Sequence, residues 1–224
     1  RLDVRRDGSG QGFLMTASPT LLQRTHGALR RVPTWSVYLA CMVPAALLTA
    51  AAFTNRLGPD PGGALVKELG EWSLRLLILG LAISPLRALT GLNLVRFRRV
   101  VGLAAFTTVA LHLVGYVGLY SQFDLIRILR DILRRPYITI GMAAFAILVP
   151  LAVTSTNAMI RRMGPKAWNR LHRLVYAAAI LGAVHFVMLV KAWPPEPLIY
   201  LAIVLALVGW RAIPKRRTPG PVPA

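Results

Sequence analysis

Three histidines, His112, His172 and His185, lie inside apolar stretches of this 224-residue chain. An ionisable side chain in a membrane-length apolar segment is costly enough to mark a functional site by default; the plainer alternative is a neutral imidazole hydrogen-bonded across a helix interface. The fourth histidine, His26, lies in a polar leader, where a solvated side chain explains it. At ~1.5 Å per residue, the thirteen positions from His172 to His185 span about 20 Å of helix, so the two cannot ligate one metal. Thirteen positions also separate Arg99 from His112. Two helices running the same way, from the basic edges RFRR (96–99) and RLHR (170–173), therefore carry His112 and His185 to one depth.

Two imidazoles at one level of an apolar bundle are what a six-coordinate b-type haem requires, and bundle cores are where such groups are held. Zinc would ask for three or four ligands, and no carboxylate or cysteine stands at that depth. His172 is left at the basic edge, level with Arg98 and Arg99. Three readings stay open for it: ligand of a second, inner haem with an unusual partner, neighbour of a flavin or quinone, or an interfacial histidine. Arg98, Arg99, Arg170 and Arg173 would suit a haem propionate or a flavin phosphate, although the rule that cytoplasmic loops are basic accounts for them without a ligand. On an ideal helix thirteen residues at ~100° leave His172 and His185 some 140° apart, so a common groove demands local unwinding. Gly102, Gly115 and Gly182 fit close helix packing as well as a macrocycle and decide nothing.

The elements that must carry these residues follow from hydropathy. The chain is 55% hydrophobic and only 16% charged, with a mean hydropathy of +0.56, too apolar for a soluble domain. With about 20 apolar residues needed per span, six spans are expected near 35–54, 73–91, 100–120, 137–156, 171–191 and 197–213. The expected fold is an all-α polytopic membrane protein, a six-helix transmembrane bundle over 35–213, with a disordered leader (1–34) and tail (214–224). The net charge of +19 sits in clusters between spans rather than on one polar face, which speaks for topology and against nucleic acid. With the N-terminus in the cytoplasm, most Lys and Arg fall on that side and both termini are cytoplasmic. The segment DLIRILRDILRR carries four arginines on the opposite side; its helical spacing suits an amphipathic helix lying on membrane lipid. The lone Cys41 reads as a packed, inert thiol. The leader has no signal-peptide pattern.

The segments VRFRRVVGLAAFTTVALHLVGY, RRPYITIGMAAFAILVPLAVTSTNAMIRRMGPKAWNRLHRLVYAAAILGAVHF and EPLIYLAIVLAL resemble the MsrQ family, which belongs with the ferric reductase-like transmembrane proteins. The likeness covers most of residues 36–213, and the TSTNAM and LHRLVY to VHF blocks are its most specific parts. The resemblance implies a non-catalytic electron-transfer subunit in the bacterial inner membrane. It also implies haem b, one or two copies, with FMN attributed to the family as well. Respiratory quinone or a cytoplasmic flavin reductase would supply electrons. They would pass to MsrP, a periplasmic molybdopterin enzyme that reduces methionine sulfoxide in oxidatively damaged proteins. His112, His172 and His185 match the family's key histidines. Larger relatives carry two histidines on each of two helices, whereas this chain has Arg98 or Arg99 at the second helix-3 position.

After the sixth span no G-x-G-x-x-G and no room for a nucleotide domain are seen, so oxidation of NADPH by the chain alone is not expected. The alternatives are a stand-alone ferric-chelate or quinone reductase, and a cofactor-free transporter or assembly protein in which the histidines relay protons or pack. Partner contacts are sought in the 55–72 loop and in WPPEP (193–197), which equally read as plain turns.

Overall fold

The computed structural model describes Gly27, Leu29, residues 31–190 and residues 194–212; the expectations for most of the leader, for the tail and for Trp193 lie outside the described residues. Among the described residues every regular element is helical. The helices from residue 33 onward are α1 (Thr34–Phe53), α2 (Pro61–Thr90), α3 (Arg98–Gly115), α4 (Leu125–Arg134), α5 (Pro136–Val153), α6 (Asn157–Met163), α7 (Pro165–His172), α8 (Val175–Leu189) and α9 (Pro195–Ala212). Five stretches are long and apolar enough to cross a membrane: Thr34–Phe53, Pro61–Thr90, Val95–Tyr120, Pro136–Val153 and Pro165–Leu189. The protein is a multi-pass, all-α membrane protein. The sixth expected span is also a helix, α9, which packs on α8 and α2.

The second span departs most from expectation. It was expected to begin near 73, but α2 is helical from Pro61 and 30 residues long. Asp60 caps its N-terminus by accepting from Gly63 N–H at 2.9 Å, and Pro61 takes the first helical position, where the missing N–H costs nothing. Gly91, at φ +75°, ends it in the left-handed conformation that closes helices. Hydropathy hid this start because Lys67, Glu68 and Glu71 dilute the apolar run. The expected 55–72 loop is therefore a short connection followed by helix. At ~1.5 Å per residue α2 is roughly 45 Å long, more than a ~30 Å hydrocarbon core requires.

The charges of α2 partner one another. Glu71 is buried between Lys67 Nζ at 3.4 Å and Arg75 at 3.1 Å. Arg75 Nε also donates to Tyr200 Oη at 2.7 Å and lies 3.6 Å from Glu196, tying α2 to α9. Ionisable groups within a span persist when paired in this way. Helices α1, α2, α3, α5 and α8 meet around Cys41, Leu76, Leu77, Ala104, Ala105, Leu148 and Ala178. The alanines let backbones approach closely, which is how helices associate without a hydrophobic driving force between them. Cys41 is buried, and its carbonyl accepts from Trp72 Nε1 at 2.9 Å.

The amphipathic segment expected at 124–135 is α4. Asp124 caps it, accepting from Arg127 N–H at 2.9 Å. Buried Asp131 anchors it, accepting from Tyr116 Oη at 3.0 Å and pairing with Arg135 Nε at 3.0 Å. Asp131→Ala is expected to lower stability by about 1.5–3 kcal/mol, the usual worth of hydrogen bonds to a charged group, and to free α4. Thermal unfolding in detergent, with proteolysis mapped to 122–136, measures both.

Candidate functional site

His112 belongs to the last turn of α3 and His185 to α8. The structure brings them together: their ring centres are 6.4 Å apart and their planes 81° to one another. Both face one cavity walled by Leu74, Leu77, Val109, Phe145, Leu148 and Phe186, with Lys67, Glu71 and Tyr116 also on its lining.

Each ring is held from behind in the same manner. His112 Nδ1 lies 2.7 Å from the carbonyl oxygen of Val66 on α2, and His185 Nδ1 lies 2.6 Å from that of Tyr137 on α5. A carbonyl can only accept, so Nδ1 carries the proton in both rings and Nε2 keeps its lone pair. This is the arrangement in which an outer hydrogen bond fixes the tautomer of a metal-binding histidine.

Sequence reasoning missed the residues that permit it, Gly70 and Gly141. They stand four positions after Val66 and Tyr137, where a side chain would cover the very carbonyl being used. A Cβ on Gly70 would lie 3.0 Å from His112 Nδ1, and one on Gly141 would lie 2.9 Å from His185 Nδ1. The legible signal was a glycine inside an apolar helix, which is common in spans for packing reasons and so pointed nowhere in particular.

The spacing suits one metal between the rings. Ring centres 6.4 Å apart would leave room for two metal–imidazole bonds of about 2.0–2.1 Å. The donor set is two neutral nitrogens in an apolar slot, and among the described residues no group of three or more His, Cys, Asp or Glu is placed to hold an ion. These residues fit a planar iron macrocycle, which brings its own equatorial nitrogens, better than a bare cation.

His172 lies elsewhere. The expected fifth span is two helices, α7 and α8, broken at Arg173–Leu174. The N–H groups of Arg173, Leu174 and Tyr176 each donate to the carbonyl three residues back. Such tight turns advance about 120° per residue rather than about 100°, which narrows the 140° mismatch of an ideal helix. His172 opens on a second cavity, which shares Leu77 and Leu148 with the first. Arg98, Arg99 and Arg173 line this second cavity together with Asn169, Trp168 and Tyr176.

The TSTNAM block builds that second site. Thr154 Oγ1 and His172 Nε2 are 3.2 Å apart, and the Thr154 carbonyl accepts from Trp168 Nε1 at 2.9 Å. Trp168 stacks on His172 with ring centres 3.8 Å apart. Thr156 caps α6, and Asn157 Oδ1 accepts from Arg99. The second cavity thus has one imidazole and several guanidinium groups, a donor set for anionic groups.

Residues 69–183 match the model of the ferric reductase like transmembrane component. The chain is 53% identical, over 81% of its length and 87% of the relative, to the protein-methionine-sulfoxide reductase heme-binding subunit MsrQ of Caulobacter vibrioides. The chain belongs to the MsrQ family of ferric reductase-like transmembrane proteins. MsrQ proteins of the same description from Brucella ovis and Brucella canis are each 49% identical over 84% of this chain and 85% of their own length. The matched residues 69–183 include His112 and His172 and nearly all of both cavity linings, and His185 lies two positions beyond them.

Proposed function

We propose that this protein is the haem-binding electron-transfer subunit of a protein-methionine-sulfoxide reductase system in the bacterial inner membrane. The observation that carries the reading is the His112–His185 pair, with both Nδ1 atoms committed to backbone carbonyls and both Nε2 atoms left for a metal. The relatives' description as heme-binding subunits supports it. His112 and His185 hold the iron of a b-type haem through Nε2, and Gly70 and Gly141 let the helix carbonyls orient the rings. When bound, the haem supplies reversible one-electron chemistry. The apolar walls keep water out and the ligand set tunes the potential.

The second cavity is the entry side. Arg98, Arg99 and Arg173 bind the propionates of a second haem or the phosphate of FMN, with His172 beside that group, and the donor is the quinone pool or a reduced flavin. Electrons leave on the opposite side to the periplasmic reductase MsrP, and repair of oxidised proteins is completed there. His112, His172 and His185 are thus cofactor-binding rather than catalytic residues.

The test is a dithionite-reduced minus oxidised visible spectrum of detergent-purified protein from haem-replete cells, with pyridine-haemochrome stoichiometry. A b-type spectrum at one or two haems per chain is expected. Haem-free protein would overturn the reading and return the transporter alternative. Electron delivery to a purified periplasmic molybdopterin reductase then separates a dedicated subunit from a stand-alone ferric-chelate or quinone reductase.

A further inference from the structure

The four arginines of 127–135 lie on the side where an inside-positive protein should carry few, and the electron-transfer reading above does not use them. Helix α4 divides into three faces at ~100° per residue. Asp131, buried, and half-buried Ile128 and Ile132 face the protein. Leu125, Ile126, Leu129 and Leu133, each at least 59% exposed, form an apolar face suited to lipid. Arg127, Arg130 and Arg134 form the remaining face, turned away from the lipid side, and all three are exposed. Among the described residues no carboxylate pairs with any of them: Asp131 is committed to Arg135 and Tyr116, and Asp124 to the backbone of Arg127.

That arginine face is joined to the first cavity by aromatic rings. Tyr116 lines the cavity, one helical turn beyond His112. The chain then widens into a single π-type turn over Tyr116–Tyr120, closed by Ser121 N–H donating to the Tyr116 carbonyl five residues back at 2.9 Å. Turns of this kind cluster at functional sites. Here the turn stacks Tyr120 on Tyr116, with ring centres 6.0 Å apart and planes at 21°. Tyr120 is 47% exposed, and the guanidinium of Arg127 lies 5.8 Å from its ring centre.

The geometry points to the Arg127–Arg130–Arg134 face, with Tyr120 at its edge, as the docking surface for an acidic electron-transfer partner protein. The proposal rests on the outward electron-transfer reading. Unpaired cations beside an exposed aromatic edge attract a negatively charged surface and set its register. The stacked tyrosines keep that contact close to the cavity, and one electron passes to the partner's acceptor with no bond formed or broken. Neither the loop at 54–60 nor the WPPEP segment shows a comparable cationic row among its described residues.

The test compares wild type with R127Q/R130Q/R134Q and with a control of equal charge loss, R161Q/R162Q/K166Q, in phosphatidylcholine nanodiscs at low salt. Binding of fluorescein-labelled polyglutamate is measured first and needs no cofactor, so a protein that fails to load haem sinks the functional reading without touching this arm. The α4 variant is expected to bind about tenfold more weakly, within the range electrostatic steering covers, and the control to change little. In haem-loaded protein, reoxidation by ferricyanide should slow similarly in the α4 variant alone, while reoxidation by hexaammineruthenium(III) should not slow. Equal losses in both variants, or none in either arm, would overturn the proposal. So would loss of polyglutamate binding to wild type when phosphatidylglycerol is added, because lipid headgroups would then own the arginine face.

Discussion

His112→Ala and His185→Ala are each expected to yield a folded protein that purifies without the haem of the first cavity. Each removes one of the two nitrogens proposed to share a metal, and the loss should exceed the roughly 10–100-fold that removing an outer hydrogen-bond partner costs. The two variants should behave alike, because the rings stand in matching positions against carbonyls of α2 and α5. His172→Ala should leave that haem in place, since His172 lies on the other cavity. Pyridine-haemochrome stoichiometry on the three variants reads this directly. Full haem content in either His112→Ala or His185→Ala would remove the ligand assignment.

Gly141→Ala and Gly70→Ala should come next in effect, although neither residue contributes a polar side chain. A methyl group at either position meets an imidazole nitrogen at 2.9 or 3.0 Å, so the ring must retreat from the carbonyl that fixes it. The expected outcome is a loss of haem retention of about 10–100-fold, as for other outer-partner losses, with a changed low-spin spectrum in what remains. Alanine is a better helix former than glycine by roughly 1 kcal/mol, so weaker helices cannot explain such a loss. Gly209→Ala, where an added Cβ meets nothing within 4 Å, is the control and should bind haem as wild type does. If Gly141→Ala loads fully and its spectrum is unchanged, the orienting role of the Tyr137 carbonyl is wrong.

The two halves of the His112–His185 site differ in how visible they were. Both histidines stand out because imidazole is rare in an apolar span, and equal spacing from a basic edge gives them a common depth. Their outer partners left no comparable mark. Val66 and Tyr137 act through backbone carbonyls, which every residue has, and Gly70 and Gly141 act by lacking a side chain. Similarly, Thr154 and Asn157 sit in the TSTNAM block and Trp168 in the segment after it, legible only as a family resemblance, whereas their contacts with His172 and Arg99 depend on how α6 and α7 fold back.

By itself the sequence determined the all-α membrane class, the apolar spans to within a few residues where no charge interrupts them, the amphipathic α4 and the shared level of His112 and His185. Those follow from hydropathy and helical rise, which are properties of one segment at a time. The tertiary structure alone decided where α2 begins, because its internal ion pairs offset charges that hydropathy counts against a span. It also decided the break at Arg173–Leu174, which turns His172 relative to His185, and the pairing of each imidazole with a carbonyl on a different helix. Rotation about a helix axis and contact between helices depend on what packs against what, and no single segment of the chain encodes that.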